Sequence, residues 1–469
     1  MTELEAKLLA EVGTLNKTVA DLSKTVVDLT AELAKLRARL GQDSSNSSRP
    51  SSTDAPWKPK RKPPQGPTGR KPGGQAGHPP HTRKMLPPDE VFEALAGECP
   101  HCKKVLDEST VVADEDEWVH QVVELVAQPV VREYRMLCHQ CPCGKKVRAP
   151  LPAGVPPTAS GPKLQAAITT LMARFHLSRE DVQEALAQLF GITLSVGAIH
   201  EVGDRAAQAS RPAVQDIAAQ LEAATNKHCD ETGWRHDGER AWLWVLCNAT
   251  AAYFRVDPRR NRDAFRSLLP SLTGLIHTDR WRVYDIIVAK MRQLCHAHLR
   301  RDIQALIDLG GTVGELGKKL LAASDEMFHH WHAFERGELD REGLLAAMSP
   351  VQATWLVLCQ EARTHEHKKA RALGKDLIKQ WDSLWAFLDH DGAGPTNNRA
   401  EREVRPGVLL RKTNGGTSSE LGAEFVGNIQ SIIATAKLQR IPVCAWLERM
   451  FMAWWQPVAL PLLLPRPVT

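Results

Sequence analysis

Three short segments, far apart in the chain, each carry a carboxylate in a setting typical of an active site. They are His228–Thr232 around Asp230, Thr278–Trp281 around Asp279, and Asn397–Arg402 around Glu401. Carboxylate oxygens are the ligands that Mg²⁺ and Mn²⁺ prefer. Two such ions can activate a hydroxyl nucleophile and stabilise the leaving oxygen at a phosphodiester. The three carboxylates therefore predict a site for two divalent cations that acts on nucleic acid.

The same carboxylates also have an ordinary structural interpretation. A single Asp at a strand end is usually a turn or cap residue. A Glu among arginines is usually part of a solvated ion pair. The catalytic prediction therefore depends on the three carboxylates occurring together, in this order, on the strand pattern around them.

That pattern consists of short runs rich in β-branched and aromatic residues, which predict strands. The predicted strands are the Asp230 segment, Ala241–Cys247, Ala252–Val256, Gly274–Asp279 and Gln293–His298, with a short helix over Asn261–Leu269. Three strands followed by alternating helices and strands indicate an RNase H-like core, whose first part spans residues 225–300. In open sheets of this kind, active residues collect at strand ends.

A long helical segment separates the second and third carboxylates. Apolar residues recur at helical spacing over residues 301–394, so this stretch is predicted to be a helical insertion. Residues 395–456 then supply the catalytic helix and the C-terminal part of the core, before a tail over residues 457–469. In the catalytic helix, the spacing places Asn398, Glu401, Arg402 and Arg405 on one face.

Residues 1–41 are predicted to form a coiled coil. Apolar residues alternate steps of four and three without a break from Leu8 to Leu40. Val at position a with Leu at position d favours parallel dimers. The alternative is a single amphipathic helix packed on its own body. We expect a homodimer or a higher oligomer, because the apolar stripe is narrow and a linker rich in Ser and Pro follows at once.

Residues 42–95 are predicted to be a disordered basic linker, because they lack the apolar residues needed for a core. Cations in this linker suit the phosphate backbone of DNA. They are Lys58, Lys60, Arg61, Lys62, Arg70 and Lys71. A second set of candidate DNA-binding cations flanks Glu401, since arginine makes bidentate phosphate contacts. This set is Arg399, Arg402, Arg405, Arg411 and Lys412.

Two pairs of cysteines predict a structural Zn²⁺ site in a zinc ribbon over residues 96–152. The pairs are Cys99 with Cys102 and Cys138 with Cys141, and the intervening segment Asp114–Val131 alternates in the manner of strands. Cys143 and His101 are alternative ligands. Buried or redox-active free cysteine is the ordinary alternative to a metal site.

Residues 158–224 are predicted to be a helical DNA-binding domain. Ser178 with Asp181 has the form of a capping box, that helix ends near Gly191, and Ser195 caps the next helix. A helix, a glycine turn and a second helix are compatible with a helix-turn-helix that reads bases. Against this interpretation, most helical hairpins bind nothing, and the second helix is poor in Arg and Lys.

On these motifs the chain resembles the DDE-type transposases of the insertion sequence sixty-six family of bacteria. The shared motifs extend over nearly the whole chain and are the Gly73–His78 segment, the two cysteine pairs, Asp230-Glu231-Thr232, the Asn397–Arg402 segment, Arg405-Pro406 and Arg411-Lys412. The family often has an acidic residue at the position of Thr396, and Trp at the position of His296. The resemblance implies that Asp230, Asp279 and Glu401 form the acidic triad, and that small accessory proteins of the same element are partners.

The chain is therefore expected to be a multidomain α+β protein. Its 469 residues suffice for several domains, and 43% hydrophobic residues support a buried core. The charged, heptad-patterned start predicts no signal peptide, and the proline-interrupted C-terminal end is too short for a membrane span. We expect a cytoplasmic, nucleoid-associated protein without membrane contact.

The predicted activity is that of a DNA transposase. The enzyme would bind the terminal inverted repeats of its element, cleave the 3′ ends and transfer them into target DNA, with two Mg²⁺ or Mn²⁺ ions per active site. Two alternatives stay open from the residues. One is an RNase H-like nuclease without strand transfer, and the other is a catalytically silent DNA-binding protein with a zinc site and a coiled coil.

Overall fold

The computed structural model describes residues 3–40, 85–94, 97–111 and 119–464. Helices in the described residues are α1 (Glu3–Leu40), α2 (Pro162–Ala173), α3 (Arg179–Phe190), α4 (Val196–Ala223), α5 (Arg262–Leu268), α6 (His296–Ile307), α7 (Gly311–Glu335), α8 (Arg341–Thr364), α9 (Lys368–Lys379), α10 (Trp381–Trp385), α11 (Asn398–Asn414), α12 (Glu420–Leu438) and α13 (Val443–Trp455). Strands are β1 (Cys138–Gln140), β2 (Lys146–Arg148), β3 (Asn226–His236), β4 (Glu239–Cys247), β5 (Ala252–Asp257), β6 (Leu275–Thr278) and β7 (Arg292–Leu294). The fold class is therefore mixed α and β, as the sequence predicts.

The predicted coiled-coil segment is a single continuous helix, α1. Apolar side chains of its stripe are exposed in the single chain. They are Val12, Leu15, Val19, Leu22, Val26 and Leu29. An exposed stripe of this spacing is compatible with a partner helix, and the pairing itself stays a prediction.

Five strands form one mixed sheet, in the order β5-β4-β3-β6-β7. β3 pairs antiparallel with β4, with Asp230 opposite Val245, and parallel with β6, with His228 opposite His277. Gly274, just before β6, has a φ of +72°, and a Cβ there would lie 2.6 Å from a backbone carbonyl oxygen. Glycine at this position therefore lets β6 approach the start of β3.

The two faces of the sheet pack against different helices. Trp244 of β4 belongs to a core with α2, α3, α4, α5, α12 and α13. Val245 belongs to a separate core with Ala400 and Val404 of α11. Successive strand residues point to opposite faces, and directly opposed residues on neighbouring strands share a face. Asp230, which lies opposite Val245, therefore points towards α11.

Helices α6 to α10 build the predicted insertion, and its core also includes Leu275 of β6 and Leu294 of β7. Leu320, Met327, Leu344 and Trp355 are fully buried there. Among the described residues, α8 alone has the length and composition that could cross a membrane. Its residues Leu344 and Trp355 are fully buried in the insertion's core, which is typical of a core helix.

Two predicted strands are wrong. Residues 293–298 are not one strand, because β7 ends at Leu294 and α6 begins at His296, whose backbone N–H donates to the Pro395 carbonyl at 3.0 Å. The described part of Asp114–Val131, residues 119–131, contains no strand. Its alternating side chains, including Leu125, are exposed, so no buried face stabilises a ladder there.

The helical segment before the sheet is confirmed as α2, α3 and α4. Ser178 and Asp181 form the predicted capping box, and Gly191 ends α3 in a left-handed conformation, with a φ of +65°. The hydroxyl of Ser195 accepts the N–H of Ala198 at 3.1 Å and caps α4. One face of α4 packs into the core, with 11 of its 28 residues buried, and the base-reading role of this unit stays a prediction.

Candidate active site

Strand register brings the first two predicted carboxylates together. Asp230 lies two residues beyond His228, and Asp279 lies two residues beyond His277, in strands where His228 and His277 are opposed and parallel. Asp279 follows the last residue of β6 directly. The two carboxylates therefore project from adjacent strands at the same end of the parallel pair.

The third predicted carboxylate reaches the same place from a helix. Glu401 lies in the first turn of α11, the helix that packs on the sheet face to which Asp230 points. Burial raises the pKa of Asp230 well above its usual range, and the charges of Glu231, Asp279 and Glu401 raise it further. Asp279 and Glu401 therefore lie within electrostatic range of Asp230, as does Glu231.

The loop that carries Asp279 is fixed by a buried arginine. Arg292 is 2% exposed. Its guanidinium donates to the carbonyl oxygen of Asp279 at 2.9 Å and to the hydroxyl of Thr278 at 2.9 Å, and pairs with Asp285 at 2.8 Å. The Asp279 carboxylate accepts the backbone N–H of Trp281 at 2.9 Å. Arg292 was not predicted from the sequence, where nothing local relates it to Asp279.

Glu401 is held by two side chains of α6, His298 and Arg301. The carboxylate lies 3.2 Å from Nδ1 of His298 and 3.1 Å from a guanidinium nitrogen of Arg301. Burial lowers the pKa of His298, and the charge of Glu401 opposes that effect. The positive guanidinium of Arg301 thereby balances the negative charge of Glu401.

A buried asparagine ties the start of α11 to the sheet. The amide nitrogen of the Asn397 side chain donates to the Cys229 carbonyl at 2.8 Å. Its Oδ1 lies 3.2 Å from Nδ1 of His228. The backbone N–H of Asn397 donates to Sγ of Cys295 at 3.1 Å. Burial lowers the pKa of His228 to about 4, so this histidine is neutral at neutral pH and donates through Nδ1.

The residues present fit hard divalent cations. Three carboxylates supply only oxygen ligands, and a bound cation would offset the burial and the neighbouring negative charges that raise the pKa of Asp230. A neighbouring group, Cys295 with His298 and Glu401, has ligand atoms within 4.8 Å of one another. Burial raises the pKa of Cys295 to about 11, which disfavours the thiolate that binds soft metals.

A fourth carboxylate, Glu231, lies on the opposite face of β3. Its oxygens accept the Tyr284 hydroxyl at 2.5 Å and a guanidinium N–H of Arg260 at 2.7 Å. The Arg260 guanidinium stacks over the ring of Trp281, 4.1 Å from its centroid. Strand alternation was the signal in the sequence that separates Glu231 from the face of Asp230.

The predicted DNA-binding cations of α11 differ in their contacts and in their exposure. Arg411 donates to the Gly233 carbonyl of β3, so it fastens α11 to the sheet. Arg402, Arg405 and Lys412 are exposed and stay candidates for DNA contact. Arg399 is half-buried. The linker cations between residues 58 and 71 lie outside the described residues.

The cysteine pairs lie in tight backbone turns. Backbone N–H groups of Cys102 and His101 lower the pKa of Cys99, which favours the thiolate. Around the second pair, β1 and β2 form a short antiparallel hairpin, and Gly144 donates to the Cys141 carbonyl at 2.8 Å. Cys99, Cys102, Cys138 and Cys141 are all free. A zinc ligand set drawn from both pairs stays a prediction.

Known proteins provide an independent comparison. The model of a family described as "Transposase IS66 family" matches residues 158–425, which contain all three carboxylates. Residues 3–84 match a family of unknown function, DUF6444. Two curated proteins of Sinorhizobium fredii (strain NBRC 101917 / NGR234) are also similar, "Uncharacterized protein y4hP" and "Uncharacterized protein y4jD".

Both relatives are 25% identical to this chain. The first aligns over 357 residues, which is 68% of this chain and 63% of the relative, and the second over 347 residues, which is 67% and 66%. The chain thus spans just under two thirds of the length of these curated relatives.

Proposed function

The chain belongs to the IS66 family of transposases, and from this premise we propose that it cleaves the 3′ ends of an insertion sequence and joins them to target DNA. The observation that supports the proposal is that Asp230 and Asp279 lie at the same end of two adjacent parallel strands, while Glu401 lies in the first turn of the helix packed on that face. The sheet order β5-β4-β3-β6-β7, with three antiparallel-linked strands followed by two parallel ones, supports an RNase H-like core.

Asp230, Asp279 and Glu401 would hold two Mg²⁺ or Mn²⁺ ions, which when bound activate the attacking hydroxyl and stabilise the leaving oxygen. The protein's own contribution is placement. Arg292 fixes the Asp279 loop and Asn397 fixes the helix that carries Glu401. Fixed placement matters because reacting groups must be aligned before the transition state forms.

The proposed reaction consists of a hydrolysis followed by a transesterification, both at phosphorus. Water attacks the phosphodiester at the transposon end, the P–O3′ bond breaks, and a free 3′-hydroxyl remains. That hydroxyl then attacks a phosphorus of the target strand, and the 3′-oxygen of the target leaves with a proton from solvent. Neither step needs a nucleotide cofactor, because each bond broken is replaced by one bond formed.

Other parts of the chain would bring the DNA ends together. The exposed stripe of α1 would pair two protomers as a dimer or part of a higher oligomer. The cysteine pairs would hold a structural Zn²⁺, and the linker cations, the α2–α4 segment and Arg402 would contact the terminal repeats. Small proteins of the same element are proposed accessory partners, and the nucleoid is the proposed location.

The decisive test is strand transfer by the purified chain. The substrate is a labelled duplex that ends in the element's own terminal repeat, with Mg²⁺ or Mn²⁺. We expect joined products from the wild type, and their loss in Asp230→Ala and Asp279→Asn without loss of DNA binding. The matched control is Asp389→Asn, which removes an exposed carboxylate and should leave joining unchanged.

The two alternatives give distinct outcomes in the same assay. Metal-dependent cleavage that gives no joined product, even from a substrate whose end is already nicked, would identify a nuclease. DNA binding without cleavage would identify a DNA-binding protein, provided that added accessory proteins do not restore the reaction. Cleavage that survives in Asp279→Asn would refute the assignment of the site.

A further inference from the structure

Helix α9 of the insertion presents a cationic surface that the proposed active site does not use. The surface consists of Lys368, Lys369, Lys375 and Lys379, all exposed. Lys368, Lys375 and Lys379 lie at spacings of seven and four, which places them on one side of the helix. The opposite side is buried and includes Leu373 and Leu377.

These lysines are not neutralised by neighbouring carboxylates in the described structure. None of the four forms an ion pair there, whereas Lys318 and Lys319 of α7 pair with Glu315 and Glu361 at 2.8 and 2.9 Å. The acidic residue inside α9, Asp376, forms an ion pair with Arg280. Glu366 and Asp382 stand beyond the two ends of the helix.

Asp376 connects α9 directly to the active-site loop. Its carboxylate accepts a guanidinium N–H of Arg280 at 2.6 Å, and Arg280 is the residue after Asp279. The second terminal nitrogen of the same guanidinium pairs with the carboxylate of Asp302 in α6 at 2.6 Å. Arg280 is thereby fixed between two helices, and α9 has a defined position relative to the carboxylates.

Close packing makes α9 a rigid support. A Cβ at Gly374 would lie 2.4 Å from the backbone nitrogen of Arg363, so α9 and α8 touch through their backbones. Lysines on a rigid helix lose less freedom on binding than lysines on a mobile loop. From Lys368 to Lys379 the axial rise is about 16 Å, which matches about five base pairs of duplex.

We propose that the lysine face of α9 binds the phosphate backbone of duplex DNA and, through Asp376 and Arg280, positions that duplex relative to Asp279. The inference rests on the proposed DNA-cleaving function. Duplex DNA is the partner that the charge favours, because an extended row of unpaired cations complements a regular row of phosphates.

The test compares two double variants of the full chain that remove equal charge from the insertion. Lys375→Gln/Lys379→Gln alters the proposed surface, and Lys318→Gln/Lys319→Gln alters lysines already paired with carboxylates. Binding to a fluorescein-labelled duplex of arbitrary sequence is measured by anisotropy across a range of KCl concentrations. Circular dichroism establishes that both variants are folded.

Each phosphate contact contributes about 0.9 to the magnitude of the slope of log affinity against log salt. We therefore expect this slope to be smaller by about 1.8 in the α9 variant, which lacks two lysines, and to be unchanged in the control. Equal slopes for the two variants would overturn the inference, since the α9 lysines would then be ordinary solvated charges. The outcome is separable from the proposed function. If the wild type does not cleave DNA even with added accessory proteins, the proposed function is refuted. If the wild type cleaves DNA and the α9 variant keeps the wild-type salt dependence of binding, only the role of α9 is refuted.

Discussion

Asn397 offers the sharpest test of how the third carboxylate is placed. Its side chain is fully buried and hydrogen-bonds to two groups of β3, the carbonyl of Cys229 and Nδ1 of His228. The substitution Asn397→Ala would leave both groups buried without a partner. The exposed Asn398, one residue further on, offers a matched control in Asn398→Ala.

The expected effect follows from the cost of unsatisfied buried groups. Each one costs about 1–3 kcal/mol, so Asn397→Ala should lower the free energy of unfolding by roughly 2–6 kcal/mol. The free energy of unfolding of a typical domain is about 5–15 kcal/mol, so a folded population of Asn397→Ala should remain at low temperature. Because α11 would no longer be tied to β3, Glu401 should lose its position, and a displacement of about 1 Å can reduce a rate about 100-fold.

Two assays measure these effects. Urea denaturation gives the free energy of unfolding, and single-turnover cleavage with Mn²⁺ gives the rate. We expect Asn397→Ala to lose both stability and rate, and Asn398→Ala to change stability by no more than a few tenths of a kcal/mol. If the two variants unfold at the same urea concentration, the buried hydrogen bonds do not fasten α11, and the account of Glu401 placement is refuted.

Three further predictions concern the metal site, the coiled coil and the cysteines. Asp230 has a folded pKa above its unfolded value, so its protonated form is favoured by folding, and metal-free stability should fall as pH rises through the folded pKa. Asp230→Asn should therefore raise the melting temperature of the metal-free protein at neutral pH while abolishing cleavage, and a lower melting temperature would contradict this. Leu22→Glu on the exposed stripe should convert the dimer to monomer in light scattering, whereas Ser23→Glu should not. Cys102→Ser should reduce bound zinc in metal analysis, and unchanged zinc content would exclude Cys102 as a ligand.

The strands around the site could be predicted because their signals are local. Short runs rich in β-branched and aromatic residues located β3, β4, β5 and β6, and Asn261 caps α5 as its residue type favours. What the sequence could not reveal are contacts between distant segments. Arg292 and Asn397 act through partners up to 169 residues away, and no spacing rule relates such positions.

The error at residues 293–298 has a related cause. Leu294, Cys295 and His296 are all buried, and a short buried run does not by itself distinguish a strand from a helix start. The helix begins where the N–H of His296 finds the carbonyl of Pro395, a contact between residues far apart in the chain. The local pattern contained no information about it.

The same contact explains how a helical insertion can lie between two carboxylates of one site. The segment leaves the sheet after β7 and returns at Pro395, and the bond from His296 to Pro395 at 3.0 Å joins its two ends. With the ends fixed, additional length costs little closure entropy, so the insertion can have its own core without moving the site. Helix α6 at the base of the insertion reaches both carboxylates, through Arg301 to Glu401 and through Asp302 to Arg280 beside Asp279. We therefore expect changes deep in the insertion's core to affect stability first, and changes on α6 to affect cleavage directly.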